Sequence, residues 1–122
     1  KFPDGIKFPD GIAASHYPVD VHGVDDVSLG LKYQHDVPAD EQYWEVPFRV
    51  MIPKTLDNVL TAGRCAGMDF RAQSAARIQP TCRSMGEAAG IAAAMAVKNE
   101  AVRFNEIDGT AVRREIRLPD KF

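Results

Sequence analysis

The run from Thr81 to Val97, TCRSMGEAAGIAAAMAV, constrains this chain more than any other part of it. Pro80 and Thr81 mark a helix start, and the pattern predicts a helix from Thr81 to Lys98, with Asn99 near its end. From Ala88 to Val97 no residue is charged, so the helix has no polar face there. A helix that is apolar all round is expected to be buried on all sides. Gly86 and Gly90 each cost about 1 kcal/mol of helix propensity relative to Ala, so close packing or ligand approach must offset them. Gly86, Gly90, Ala93 and Ala94 form a smooth stripe suited to such an approach. A chain of 122 residues has little material with which to surround such a helix. The expectation is that it packs into a larger body. Ten uncharged residues make roughly 15 Å of helix, about half the thickness of a bilayer core, so no membrane span is expected.

Upstream, Asn58 to Ala62 reads as a short buried strand that stops at Gly63-Arg64. Such a strand, followed by a small-residue helix, suits a chain that brings bare backbone up to a large anionic ligand of nucleotide type. Around this pair the reading is coarser. Residues 12–22 look extended and broken at Pro18, and 23–42 read as hairpin and loop. Tyr43 to Ile52 reads as a strand ended by Pro53. Ala66 to Gln79 reads as irregular or short helix, and Asp108 as the N-cap of a last helix reaching about Arg117, stopped by Pro119. Arg83 and Glu87 are placed for an i,i+4 pair on the main helix.

Charge and cysteine content narrow the function classes. The net charge is −2 and the pI about 5.9, so no basic surplus draws the chain toward nucleic acid or anionic lipid. Two cysteines, Cys65 and Cys82, make no disulfide framework and read as reduced, packed thiols of a cytoplasmic protein. No secretory signal pattern is visible. Lys1 to Ile12 is the hexapeptide KFPDGI written twice, too short for a solenoid repeat and given no functional weight.

Several ordered pieces carry a family resemblance. They are Pro53 and Asn58 before the strand, Ala62-Gly63-Arg64 after it, Ala72-Gln73, Arg77, and Pro80-Thr81-Cys82 followed by Met85-Gly86 and Ala88-Ala89-Gly90. With the upstream segment SHYPVDVHG, Ser15 to Gly23, these resemble the carboxy-terminal part of the FAD-dependent oxidoreductases of the glutathione-reductase-like fold. The resemblance covers roughly residues 12 to 118 and implies an α/β fold. The chain would be the carboxy-terminal fragment of a two-domain, Rossmann-like FAD-binding flavoprotein. Residues 13–52 would be a β segment of the substrate domain, and 53–122 the end of the FAD-binding domain.

The resemblance further implies noncovalent FAD, a small-molecule substrate, and hydride or electron transfer between them. The cofactor residues it implies are Gly63, Arg64, Arg77, Pro80, Thr81, Cys82 and Gly86. The helix start at Thr81-Cys82-Arg83 would stabilise negative charge on a reduced flavin. Gly63 would admit close backbone approach, and Arg64 and Arg77 would add cations. Two departures matter. The GxGxxG fingerprint is absent from these 122 residues, so the main phosphate cradle is expected on an amino-terminal part of the same protein. The fragment alone would then be inactive. Met68-Asp69-Phe70-Arg71 also stands where close relatives have a His and a Glu.

His16 and His22 are the candidate catalytic acid/base residues, with Asp20 orienting one of them; the alternative is that both are ordinary structural residues. No zinc-type Cys/His spacing appears, and no metal is expected. Cys82 sits where a helix dipole lowers a thiol pKa, although a packed role suits it equally. Asp25, Asp26, Asp36 and Glu41 read as solvated loop acids, and Arg113, Arg114 and Arg117 as the exposed face of the last helix. Two other functions stay open: an FAD-dependent RNA-modifying protein of the glucose-inhibited division protein A type, and a non-enzymatic docking module. An oligomer is compatible with either.

Overall fold

A computed structural model describes residues 6–17, 19–20, 43–100, 103–116 and 118. Among them the chain forms a small mixed α/β body with a two-stranded sheet and three helices. Strand β1, Gly11–Ser15, pairs antiparallel with β2, Trp44–Pro47. Helix α1 runs Phe70–Ala76, α2 Gln79–Lys98 and α3 Gly109–Ile116. Short 3-10 turns occupy Phe48–Met51, Gly63–Cys65 and Phe104–Glu106.

One hydrophobic core joins these pieces. Ile12, Ala13, Val46, Phe48 and Met51 from the sheet side meet Ala72, Ala75, Met85, Ala88, Ala92 and Val112 from the helices. Residues on both sides of position 52 thus share a core.

A buried ion pair crosses the top of that core. Glu45 on β2 is fully buried, and its Oε1 accepts from Arg113 of α3 at 2.9 Å. Its other oxygen accepts from the backbone N–H of Phe8 at 2.8 Å, and Arg113 also donates to the Gly11 carbonyl at 3.1 Å. The expectation that Arg113 lies on an exposed helix face is therefore corrected. The acid that draws it inward lies 68 positions away in sequence, and helix periodicity does not report it. Arg114 is exposed as expected, while Arg117 lies outside the described residues. Gly11 leaves room for the pair, because a Cβ there would collide with both Glu45 and the Arg113 guanidinium.

Two expected strands also need correction. The strand expected over Tyr43 to Ile52 ends at Pro47, where the chain turns into the 3-10 segment and sends Phe48 and Met51 into the core. Pro47 has no N–H with which to continue a ladder. The strand expected over Asn58 to Ala62 does not form, since no strand lies beside it among the described residues. Thr61 instead donates its N–H to the Met51 carbonyl at 2.8 Å. The acids Asp25, Asp26, Asp36 and Glu41, and the expected hairpin, lie outside the described residues.

The helices follow local chemistry more closely. Asp69 caps α1 by accepting from Ala72 N–H at 2.8 Å, which gives the 68–71 stretch a structural role. Asp108 caps α3 through Thr110 N–H at 2.9 Å. Hydrogen bonds from Thr110 hold the Asp108 carboxyl below its ordinary value. Helix α2 begins two residues before the expected start, with Pro80 in its first turn, and ends where Glu100 takes a left-handed φ of 53°. No Arg83–Glu87 ion pair forms among the described residues.

Burial along α2 also differs from expectation. Thr81, Met85, Ala88 and Ala92 face the core, whereas Gly86, Gly90, Ala93 and Ala94 are exposed and Val97 is 82% exposed. A Cβ at Gly86 or Gly90 would meet nothing within 4 Å. Nothing in the described chain requires glycine at either position.

Replacing Glu45 with Gln should destabilise the fold by about 3 kcal/mol, because Arg113 is left with an uncompensated charge in a mostly buried site. Gly11→Ala should cost about 1–3 kcal/mol through overpacking of the same pair. Urea denaturation measures both, and wild-type midpoints would refute this account. The Asp108 contribution is present above the ordinary carboxylate pKa, since its folded-state pKa is the lower one. It should be lost as pH falls through that lowered value, and the acid midpoint of Asp108→Asn should show no such dependence.

Candidate functional site

The start of α2, the Gly63–Cys65 turn and the end of α1 form one corner. Ile78 is the N-cap of α2 and supplies no side-chain cap. Cys82 N–H closes the first helical turn onto the Ile78 carbonyl. Pro80 has no N–H, and those of Gln79 and Thr81 have no partner among the described residues. Two donors and the positive end of a 20-residue helix thus remain open.

Gly63 is buried and adopts φ +72°, a conformation that glycine reaches without steric cost. Its missing side chain faces Cys82, whose Cβ and Sγ would lie 3.5 Å from a Cβ at Gly63, an ordinary contact. The positive φ, and not crowding, is what requires glycine here.

The arginines flank this turn. Arg64 Nε donates to the Arg77 carbonyl at 3.2 Å, and Gln73 Nε2 donates to the Arg64 carbonyl at 2.6 Å. The Nη groups of Arg64 make no hydrogen bond among the described residues. Arg77 is the C-cap of α1 and donates to Asp20 Oδ2 at 3.2 Å. Tyr17 also donates to Asp20 Oδ2, at 3.1 Å, and Trp44 Nε1 holds the Tyr17 carbonyl at 2.9 Å.

Two buried polar atoms in these elements, Gln73 Oε1 and Thr81 Oγ1, have no hydrogen-bond partner among the described residues. Leaving a buried polar group unpaired costs about 1–3 kcal/mol, so a ligand that pairs them is favoured. The corner therefore offers backbone N–H donors, a hydroxyl, an amide oxygen and an open guanidinium. Such a set suits an anionic ligand that also carries hydroxyl groups.

Of the sequence-identified residues, the structure gathers Gly63, Arg64, Arg77, Pro80, Thr81 and Cys82 at this corner. Gly86 lies one turn further along α2 and is exposed. His16 is exposed just past the end of β1, with its ring edge-on to Tyr43 at 6.2 Å between centroids. His22 lies outside the described residues. Cys65 is exposed and donates to the Ala62 carbonyl at 3.1 Å, so it is not the packed thiol expected; Cys82 is half-buried, and both are free thiols. The sequence does not show a role for Tyr17 or the Arg77 contact of Asp20, although the i,i+3 spacing of Tyr17 and Asp20 hints at their contact. Gln73, one of the residues that carry the resemblance, has no site role legible in the sequence.

A separate cavity of about 390 Å³ lies toward the other end of α2, by Ala93, Val97, Arg103 and Phe104, away from this corner. Among the described residues no three His, Cys, Asp or Glu gather to hold a metal ion, and no helix is long and apolar enough to cross a membrane.

The hydrogen bond to Asp20, followed by its negative charge, raises the Tyr17 hydroxyl above the ordinary 10.0. A folded-state pKa above the unfolded one stabilises the fold at lower pH, and that contribution is lost as pH rises through the raised value. Of the three tyrosines, one should titrate late in an alkaline ultraviolet titration, and Asp20→Asn should bring it back. An unchanged titration curve in Asp20→Asn would contradict the contact.

The FAD dependent oxidoreductase family model matches residues 4–116. Comparison with curated proteins and with solved structures returned no match. The match spans nearly the whole chain. The chain belongs to the FAD-dependent oxidoreductase family, as a carboxy-terminal, fragment-like part of it, and its cofactor is FAD.

Proposed function

We propose that this chain is the carboxy-terminal portion of a two-domain FAD-dependent oxidoreductase. Its α2 corner holds part of the cofactor, and an amino-terminal part of the same protein supplies the phosphate cradle. The observation that carries this reading is the uncapped start of α2 beside Gly63 and Arg64. FAD, when bound, supplies the transfer of a hydride or two electrons to or from a small-molecule substrate.

The residues then divide the work. Gln79 and Thr81 offer backbone N–H groups, and the α2 dipole adds about half a positive charge where the ligand is anionic. Gly63 keeps the turn in its left-handed conformation, which sets Arg64 beside the start of α2. Thr81 Oγ1 and Gln73 Oε1 gain the partners they lack. Arg64 contributes the open cation. His16, exposed at the end of β1, and His22 stand on the segment assigned to the substrate, where an imidazole would take or give a proton.

The bare α2 face of Gly86, Gly90, Ala93 and Ala94 is where the amino-terminal part packs. That contact offsets the propensity cost of the two glycines. It also accommodates the docking reading, with the docked body belonging to the same enzyme. A net charge of −2 gives no support to an RNA substrate.

The complete protein should purify with FAD, and this chain alone should not retain it. Complete protein without flavin would overturn the oxidoreductase reading; retention by the chain alone would overturn the separate cradle. Thr81→Val should stabilise the ligand-free protein by about 1 kcal/mol, because an unpaired buried hydroxyl is removed, and should weaken FAD binding about fivefold. Gly63→Val should strain the backbone by about 1–2 kcal/mol and weaken FAD binding further. Fluorescence titration with FAD and thermal melting read the two effects separately.

A further inference from the structure

We infer that Asp20 is a positioning residue for the cofactor corner: it neutralises and holds Arg77, fixing the α1–α2 turn and leaving Arg64 as the cation that meets the ligand. The inference rests on the cofactor reading above and deepens it.

The contacts form one continuous chain. Trp44 is 2% exposed and holds the Tyr17 carbonyl through its indole N–H. The Tyr17 hydroxyl donates to Asp20 Oδ2, and Arg77 donates to the same oxygen from the other side. A second, longer contact of 3.4 Å runs from Arg77 to the Asp20 backbone carbonyl. The Arg77 carbonyl then receives Arg64 Nε, and the Arg64 carbonyl receives Gln73. Both arginines are thereby registered against a buried tryptophan on β2.

Position in the chain gives this its consequence. Arg77 lies immediately before Ile78, the N-cap of α2. A shift of Arg77 moves the first turn of α2 and, through its carbonyl, Arg64. Charge divides the two arginines into different roles. Arg77 already faces a carboxylate, and a second anion would have to compete with it. Arg64 spends only Nε, on a carbonyl, and keeps its forked Nη pair, the geometry that grips phosphate or carbonyl oxygens in parallel.

Taken alone, the Asp20–Arg77 pair is weak. Its side chains are 30% and 43% exposed, and exposed pairs contribute little to stability. Its effect is expected on the orientation of the corner, so ligand affinity should respond more than folding does. The segment that carries Asp20 also carries His16, which lets a change on the substrate side reach the cofactor through Asp20.

The test uses the complete flavoprotein and a double-substitution cycle. Asp20→Asn and Arg77→Gln should each weaken FAD binding about threefold, the scale of an exposed pair. The double variant should be no weaker than the worse single variant. Asp20→Glu should restore most of the affinity, which a purely steric role would not allow. Arg64→Gln should weaken binding about tenfold, flatten its dependence on salt and shift the flavin reduction potential negative. Melting temperatures of all variants should stay near wild type. Additive effects of the two singles, or wild-type affinity in Asp20→Asn, would overturn the inference while leaving the cofactor reading intact. Tighter binding in Asp20→Asn would also overturn it, since Arg77 would then be the ligand cation that Asp20 withholds. Wild-type protein that carries no flavin would overturn the cofactor reading, and this inference with it.

Discussion

The Glu45–Arg113 pair is the contact on which the rest of the structure depends. Glu45 has no exposure to water, so its charge is tolerated only because a guanidinium and a backbone N–H surround it. The three groups come from the amino-terminal segment, β2 and α3, and Arg113 also reaches the β1 carbonyl of Gly11. A hydrophobic core alone tolerates sliding of its parts; a buried, fully bonded charge does not. The pair therefore sets where α3 sits relative to β1 and β2. Gly109, the first residue of α3, has Asp10 and Phe48 close to where a Cβ would lie, and the same closeness confines α3.

Helix α2 connects this framework to the functional corner. One face, through Met85, Ala88 and Ala92, belongs to the core that the ion pair organises. The opposite face is bare and built from the smallest residues. The corner lies at its amino-terminal end, where helix chemistry leaves N–H groups unbonded. Placement of that end thus depends on packing along the helix, on the α1–α2 turn and on the network through Arg77. That corner presents backbone N–H groups and the open guanidinium of Arg64.

Legibility in the sequence followed the range of the interactions. The Asp108 cap and α2 are readable because their causes lie within a few residues. The Asn58–Ala62 strand was misread because its apolar, β-branched composition matches a strand, while a strand also needs a neighbour to bond. Tyr43–Ile52 was read too long for a related reason: Val50 and Ile52 suit a sheet, but β1 offers only five residues to pair with. Arg113 is not legible as a buried residue because its partner is remote. Residue type alone suggests a packed thiol at Cys65, whereas the Gly63 turn carries it outward.

The sequence by itself determined the helix with its Pro80-Thr81 start, the family and thereby FAD. All of these rest on local backbone preference or on ordered motifs along the chain. Only the tertiary structure decided which arginine is open and which is paired, which face of α2 is covered, and that Tyr17, Asp20 and Gln73 belong to the corner. Those outcomes depend on contacts between residues far apart in sequence, such as Asp20 and Arg77, 57 positions apart. Folding decides them because a charge or a hydrogen-bonding group settles wherever the packed chain offers it a partner.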